Sequence, residues 1–197
     1  GSSLKNIDDY TNLSRVMVDR GHTTAARQIT DELRRDWRGS RQGEFAALVM
    51  ESLCANKEGD PAKARQAVEK ALLLNDALKD EGKTSGLSQK LTLDLAQACL
   101  ATGDEASARG ILRQVAAENH EDRHMIANVQ GIYARAGKEE DGQALLAEVG
   151  KEIVDLNNRG VLAARRGDVE GSVKLLMEAA ERVPNLQFLI NATKAIF

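Results

Sequence analysis

Five glycines recur along the chain in one sequence frame, at Gly21, Gly59, Gly103, Gly137 and Gly167. A small residue follows each glycine after five positions, and an apolar residue follows after twelve. Gly59 is followed directly by Asp60 and Pro61. A glycine that ends one helix, an aspartate that caps the next and a proline in its first turn are typical of a tight helix–helix connection. The frame therefore predicts a chain built from repeated helix pairs.

The composition fits packed helices and argues against several classes of function. Hydrophobic residues make up 42% of the 197 residues and aromatic residues only 3%, so we expect an aliphatic core between closely packed helices. The formal net charge of -3 gives no electrostatic case for a nucleic-acid partner. No apolar run approaches the roughly 18 residues of a membrane span, and no segment resembles a signal peptide. We expect neither a nucleic-acid nor a membrane partner.

The two cysteines, Cys54 and Cys99, lie far apart in the sequence. Two distant cysteines do not form the pattern of a disulfide-stabilised fold. We interpret both as free thiols that pack in the core. We therefore expect a reducing compartment and a cytoplasmic protein.

Apolar residues at helical spacing predict a helix on each side of every turn glycine. Residues 1–3 are interpreted as the remnant of a removed tag, and residues 4–197 as one domain. The expected pairs are 5–20 with 23–37, 44–58 with 61–79, 87–102 with 105–117, 122–136 with 139–149, and 152–166 with 169–182. A last helix is expected over 186–197.

The repeat frame resembles the tetratricopeptide repeat. The glycines are spaced by 38, 44, 34 and 30 residues, and 34 is the period of that family. The segments that carry the resemblance best are Gly59–Ala71 and Leu156–Pro184, the second with Gly160 before its turn. The resemblance implies an all-α, right-handed α-solenoid of about five antiparallel helix pairs and a C-terminal helix. The implied repeats are 5–38, 44–80, 87–118, 122–150 and 152–184.

A narrower resemblance covers Asn119–Phe197. The stretches Val129–Tyr133 and Leu156–Val161 are similar to the tetratricopeptide region that follows the receiver domain in some bacterial response regulators. The two resemblances together imply a non-catalytic scaffold, without a cofactor, that binds a protein or peptide in bacterial signal transduction.

The first helix of each pair lines a concave groove in such a stack, and the last two repeats carry the same polar residues there. Asparagine lies nine residues before the turn glycine and arginine two residues before it. An asparagine amide can pair with an extended peptide backbone, and an arginine can hold a carboxylate at two points. The alternative is that the asparagines bond between helices and the arginines are solvated. The groove candidates are Asn128, Asn158, Arg135, Arg165, His124 and Lys90.

The segment His120–His124 matches the H-E-x-x-H pattern of zinc hydrolases. The repeat register places His120 in a loop and His124 in the first turn of the next helix, so the two rings would not share one helical face. A solvated helix start is the favoured interpretation, and a zinc hydrolase is a remote alternative. We expect no metal site.

Four arginines surround Trp37, the only tryptophan, and Asp31, Glu32 and Asp36 interleave with them. This cluster could contact nucleic acid or an acidic protein. Solvated charges at a helix end are the favoured interpretation. The arginines are Arg34, Arg35, Arg38 and Arg41.

The sequence finishes on three apolar residues, Ala195, Ile196 and Phe197. A helical stack needs a polar outer face on its terminal repeat. Self-association through this apolar end, to a homodimer, is therefore a second hypothesis for function.

Overall fold

The computed structural model describes Leu4, residues 6–80, residues 88–182 and Lys194. All regular structure in these ranges is α-helical, and most helices pack on their neighbours in sequence, which confirms the predicted all-α class. Apart from Lys194, the predicted helix 186–197 lies outside the described residues, as do residues 1–3. The helices are α1 (Ile7–Asp19), α2 (Thr23–Asp36), α3 (Arg41–Glu58), α4 (Pro61–Asp80), α5 (Gln89–Ala101), α6 (Glu105–Glu118), α7 (Arg123–Arg135), α8 (Glu139–Arg165) and α9 (Val169–Arg182).

The turn chemistry that the sequence predicts is confirmed at the connection between α3 and α4. Gly59 ends α3 with a φ of 77°, in the left-handed region that glycine adopts without a steric penalty. Its N–H donates to the carbonyl of Asn56 over 3.1 Å. The Asp60 carboxylate accepts a bond from the backbone N–H of Lys63 over 3.0 Å, and Pro61 is the first residue of α4. These local bonds satisfy the helix ends and fix the connection.

The chain divides into two compact units, Gly1–Ala108 and Arg109–Phe197. In the first unit, α3 lies at the centre and contacts α1, α2, α4 and α5. A helix that is covered on all sides needs apolar or small residues around its whole circumference. Its buried residues meet that requirement: Gly43, Phe45, Ala46, Ala47, Leu48, Val49, Met50, Ser52, Leu53, Cys54 and Ala55.

Both cysteines are free and fully buried in this unit, as the sequence predicted. Burial raises the pKa of the Cys54 thiol to about 11 and that of Cys99 to about 12. A thiol that stays protonated at neutral pH is a poor nucleophile, so both side chains act as core residues.

In the second unit, α8 packs on α7 with its first part and on α9 with its second. The predicted helix end at 149 and the new start at 152 are wrong, because α8 is continuous over 27 residues. Gly150 has no positive φ, and the residues that follow it, Lys151 and Glu152, are good helix formers without a capping side chain. The sequence there lacks the signals that stop the other helices.

An arginine from α6 contacts α8 on both sides of the predicted break. Arg113 donates to the Glu152 carboxylate over 2.5 Å and lies 3.5 Å from the Glu148 carboxylate. Glu148 and Glu152 are four residues apart, so they share a face only where the helix is unbroken. Each of these exposed ion pairs contributes little stability by itself, but together they require a helical backbone across Gly150.

We expect Gly150→Ala to stabilise the protein by about 0.5–1 kcal/mol, because alanine is the better helix former at a helical position. The new methyl group would lie 3.4 Å from Nε2 of His120, the tip of a side chain that can shift. The matched control is Gly137→Ala, at a φ of 68°, which should destabilise by about 1 kcal/mol. Urea unfolding measures both, and a destabilising Gly150→Ala would contradict the continuous helix.

Candidate functional site

The first helices of the first three pairs pack on one another in the first unit. α1 contacts α3, and α3 contacts α5, so these three helices form one layer, which we call the inner layer. The sequence predicted that this layer would line a groove. Asn12, Met50 and Asp94 occupy the matched frame position on its three helices. Met50 is fully buried, so the middle of the layer is covered.

A polar cluster joins the two outer helices of the inner layer. Nε of Arg15, on α1, donates to both carboxylate oxygens of Asp94, on α5, over 2.8 and 2.9 Å. The side chain of Arg15 is 15% exposed and that of Asp94 is 9% exposed. Such a two-point, charge-assisted contact is among the stronger hydrogen-bonding arrangements. We call Arg15, Asp94, Asn12 and Lys90 the Asp94 cluster.

Asn12 connects the remaining members of the Asp94 cluster. Its Oδ1 accepts from Nη1 of Arg15 over 3.1 Å and from Nζ of Lys90 over 2.9 Å. Lys90, a predicted groove residue, is therefore exposed but engaged with α1. The cluster spans the layer from α1 to α5, so in this unit the predicted groove is bridged by the chain's own side chains.

Burial raises the pKa of Asp94 above its ordinary value, and the hydrogen bond and charge of Arg15 act in the opposite direction. The native state therefore binds this proton more readily than the unfolded chain does. Burial makes the charged carboxylate unfavourable at neutral pH, Arg15 offsets part of that penalty, and protonation in acid relieves it.

Three of the predicted groove residues share one face of α7. His124, Asn128 and Arg135 are all exposed and spaced by four and seven residues, which brings them into one row. Two small residues lie beside this row: Ala127, which is exposed, and Gly131, which is half-buried. We call His124, Asn128 and Arg135 the α7 surface. It offers a ring, an amide and a guanidinium along about three turns of helix.

The other two predicted groove residues lie on the second part of α8. Asn158 and Arg165 are exposed and also fall on one row, and Asn158 lies between the exposed apolar residues Val154 and Leu162, four positions away on either side. We call Asn158 and Arg165 the α8 surface. Arg135 precedes the start of α8 by four residues, whereas Arg165 is its last residue. The 27 residues of α8 rise about 40 Å along the axis, so the structure does not bring Arg135 and Arg165 together.

The H-E-x-x-H match takes the arrangement that the repeat register predicted. His120 lies in the turn before α7, and His124 lies in the first turn, where its backbone N–H donates to the Asp122 carboxylate over 2.9 Å. Asp122 is thus the N-cap of α7. Within the described residues, no group of three or more His, Cys, Asp and Glu side chains is placed to hold a metal ion.

Sequence reasoning missed Arg15. The matched position gave Asn12 and Asp94, and Arg15 follows Asn12 by three residues, about one helical turn along the same face. The sequence did contain one signal. Asp94 has the same frame position as the apolar Met50, and a carboxylate at a buried position needs a basic partner.

Residues 90–114 match the tetratricopeptide repeat family. The matched segment covers nearly all of α5, the turn that follows it and most of α6. Comparison with curated proteins and with solved structures gives no match. The family match and the sequential helix pairs are consistent with a helical repeat that serves protein interaction. Among the described residues, no helix is both long enough and apolar enough to cross a membrane.

We expect Arg15→Met to destabilise the protein by about 3 kcal/mol at pH 7, because it leaves a buried carboxylate without a counter-charge. The loss should shrink towards pH 4, because the pKa of Asp94, already raised, rises further without Arg15 and the group protonates. Urea unfolding of variant and wild type at both pH values measures this difference.

The control for that experiment is the double variant Arg15→Met, Asp94→Asn, which removes both charges and should recover part of the lost stability. An equal loss at pH 7 and pH 4 would show that Asp94 is not the buried charge that Arg15 compensates.

Proposed function

We propose that this chain is a non-catalytic interaction module that binds a protein or peptide partner through the α7 surface. The carrying observation is the exposed row of His124, Asn128 and Arg135 on one face of α7. The match of residues 90–114 to the tetratricopeptide repeat supports protein binding in general.

The chemistry of the α7 surface suits an extended peptide. An asparagine amide both donates and accepts, as a peptide unit does, and an arginine two turns away can hold a carboxylate. The small, exposed Ala127 leaves room for a backbone to approach the helix beside Asn128, whereas Nη1 of Arg135 lies 3.5 Å from the position of a Cβ on Gly131. The α8 surface has the same two residue types, but the exposed apolar residues Val154 and Leu162 flank its asparagine, Asn158.

The inner layer of the first unit is a poorer candidate. A partner that entered it would have to displace the Asp94 cluster and leave a buried carboxylate without Arg15. The energetic cost of that exchange favours the α7 surface, where no such contact has to be broken to expose Asn128.

The right-handed solenoid order is part of the proposal, and the contacts of α3 with α1 and α5 support it in the first unit. The role in bacterial signal transduction, next to a receiver domain, rests on the sequence resemblance alone and stays a prediction. Self-association through residues 195–197 concerns residues outside the described ranges and also stays a prediction.

A displayed random-peptide library, selected on the immobilised chain, tests the α7 surface. The double variant Asn128→Ala, Arg135→Ala should weaken the selected peptides by about tenfold or more, since two hydrogen-bonding groups are lost. Calorimetric titration measures the affinities, and circular dichroism checks that the helix content is unchanged.

The matched control is Asn158→Ala, Arg165→Ala, which removes the same side chains from the α8 surface. It should leave the affinities within about twofold, since additivity holds for distant sites. If the control pair weakens binding as much as the α7 pair, or if no peptide is selected, the assignment to α7 is wrong.

A further inference from the structure

In the Asp94 cluster, two cations and one amide lie around a single carboxylate. The guanidinium of Arg15 donates to both oxygens of Asp94, and Oδ1 of Asn12 accepts from Arg15 and from Lys90. Arg15 and Asn12 belong to α1, whereas Asp94 and Lys90 belong to α5. The chain thus supplies both the cation and the anion that it holds, from residues 79 apart in the sequence.

Asn12 holds the two cations in place without help from the carboxylate. Its Oδ1 lies 3.1 Å from Nη1 of Arg15 and 2.9 Å from Nζ of Lys90. Asn12 precedes Arg15 by three residues and shares its helix face, so α1 itself orients the guanidinium. Without the carboxylate, Asn12 would still hold the two cations side by side on the inner layer.

The charges around Asp94 balance while that carboxylate is ionised. Arg15 and Lys90 carry two positive charges, and Asp94 and the neighbouring Asp19 of α1 carry two negative ones. In α3 and α4, which are described throughout, the buried residues include no carboxylate, lysine, arginine or histidine, and α3 has Met50 at the matched position. Loss of the Asp94 carboxylate would leave one positive charge in excess, at a place where that side chain is 9% exposed.

We propose that the inner layer is a carboxylate-binding site that the chain occupies with its own Asp94, so that this contact is autoinhibitory. A carboxylate held at two points by a guanidinium has the geometry in which arginine binds the carboxylate of a partner. Asp94 is part of the same chain, so it competes at a high effective concentration, and a partner's carboxylate gains Arg15 only by displacing it. The site lies in the first unit and does not depend on the α7 surface.

Formate tests the proposal, because Asp94→Ala removes one carboxyl group and leaves the donors in place. We expect formate to raise the urea midpoint of this variant along a saturable curve, because a ligand that binds only the native state stabilises it. So small a ligand binds weakly, and half-saturation is expected at roughly 1–100 mM. Sodium chloride of the same ionic strength is the reference. The wild type, whose site is occupied, should respond to formate as it does to chloride.

Two further variants separate this site from a general effect of formate. The double variant Arg15→Met, Asp94→Ala lacks the guanidinium and should show no saturable rise. The matched control is Glu58→Ala, which leaves Arg27 without the carboxylate of another two-point pair. The side chains of that pair are 29% and 31% exposed, so formate should shift the midpoint no more than chloride does.

The variant Asp94→Ser provides a second vacated site, and it should respond to formate as Asp94→Ala does. Where either variant is unfolded in chloride, the measurement is the recovery of helical circular dichroism when formate is added. The proposal is overturned if formate acts on neither variant beyond the effect of chloride. It is equally overturned if the double variant or the wild type responds to formate as strongly as Asp94→Ala.

Discussion

The burial of α3 is the constraint on which the first unit depends. Its face-to-face coverage by α1, α2, α4 and α5 removes nearly all of its apolar surface from water, and that burial is the main stabilising term available to so alanine-rich a chain. Because α1 and α5 both pack on α3, they lie close enough for Arg15 to reach Asp94. The enclosure that stabilises α3 therefore also places the Asp94 cluster across the inner layer.

Where a helix is not enclosed, its polar residues are exposed. α3 has four neighbours, whereas α7 packs mainly on α8 and leaves His124, Asn128 and Arg135 in solvent. The two helices differ in exposure because different numbers of helices surround them. As a result, two residues at the same position of the repeat frame differ in burial: Met50 is buried and Asn128 is exposed.

The features that the sequence predicted correctly are those that neighbouring residues determine. The turn at Gly59, Asp60 and Pro61 follows from backbone conformation and capping within a few residues, and so could be predicted. The continuous α8 was missed because the repeat frame predicts a break between consecutive helix pairs, although Gly150 lacks the caps that accompany Gly59. The contact between Arg15 and Asp94 joins residues 79 apart, and only the tertiary packing brings them together.

The distinction between local bonds and tertiary contacts also affects the free energy that a surface can contribute to binding a partner. A surface that local bonds already hold in place loses little conformational entropy when a partner arrives. The turn that carries Trp37 is fixed by the Ser40 cap and by the contact with Gly43, and the start of α7 is fixed by Asp122. The α7 surface therefore lies on a helix whose start is already capped, whereas a partner of the inner layer would first have to break the ion pair of the buried Asp94 carboxylate. The repeat frame makes these polar positions equivalent in sequence, and the tertiary packing makes the cost of exposing them differ.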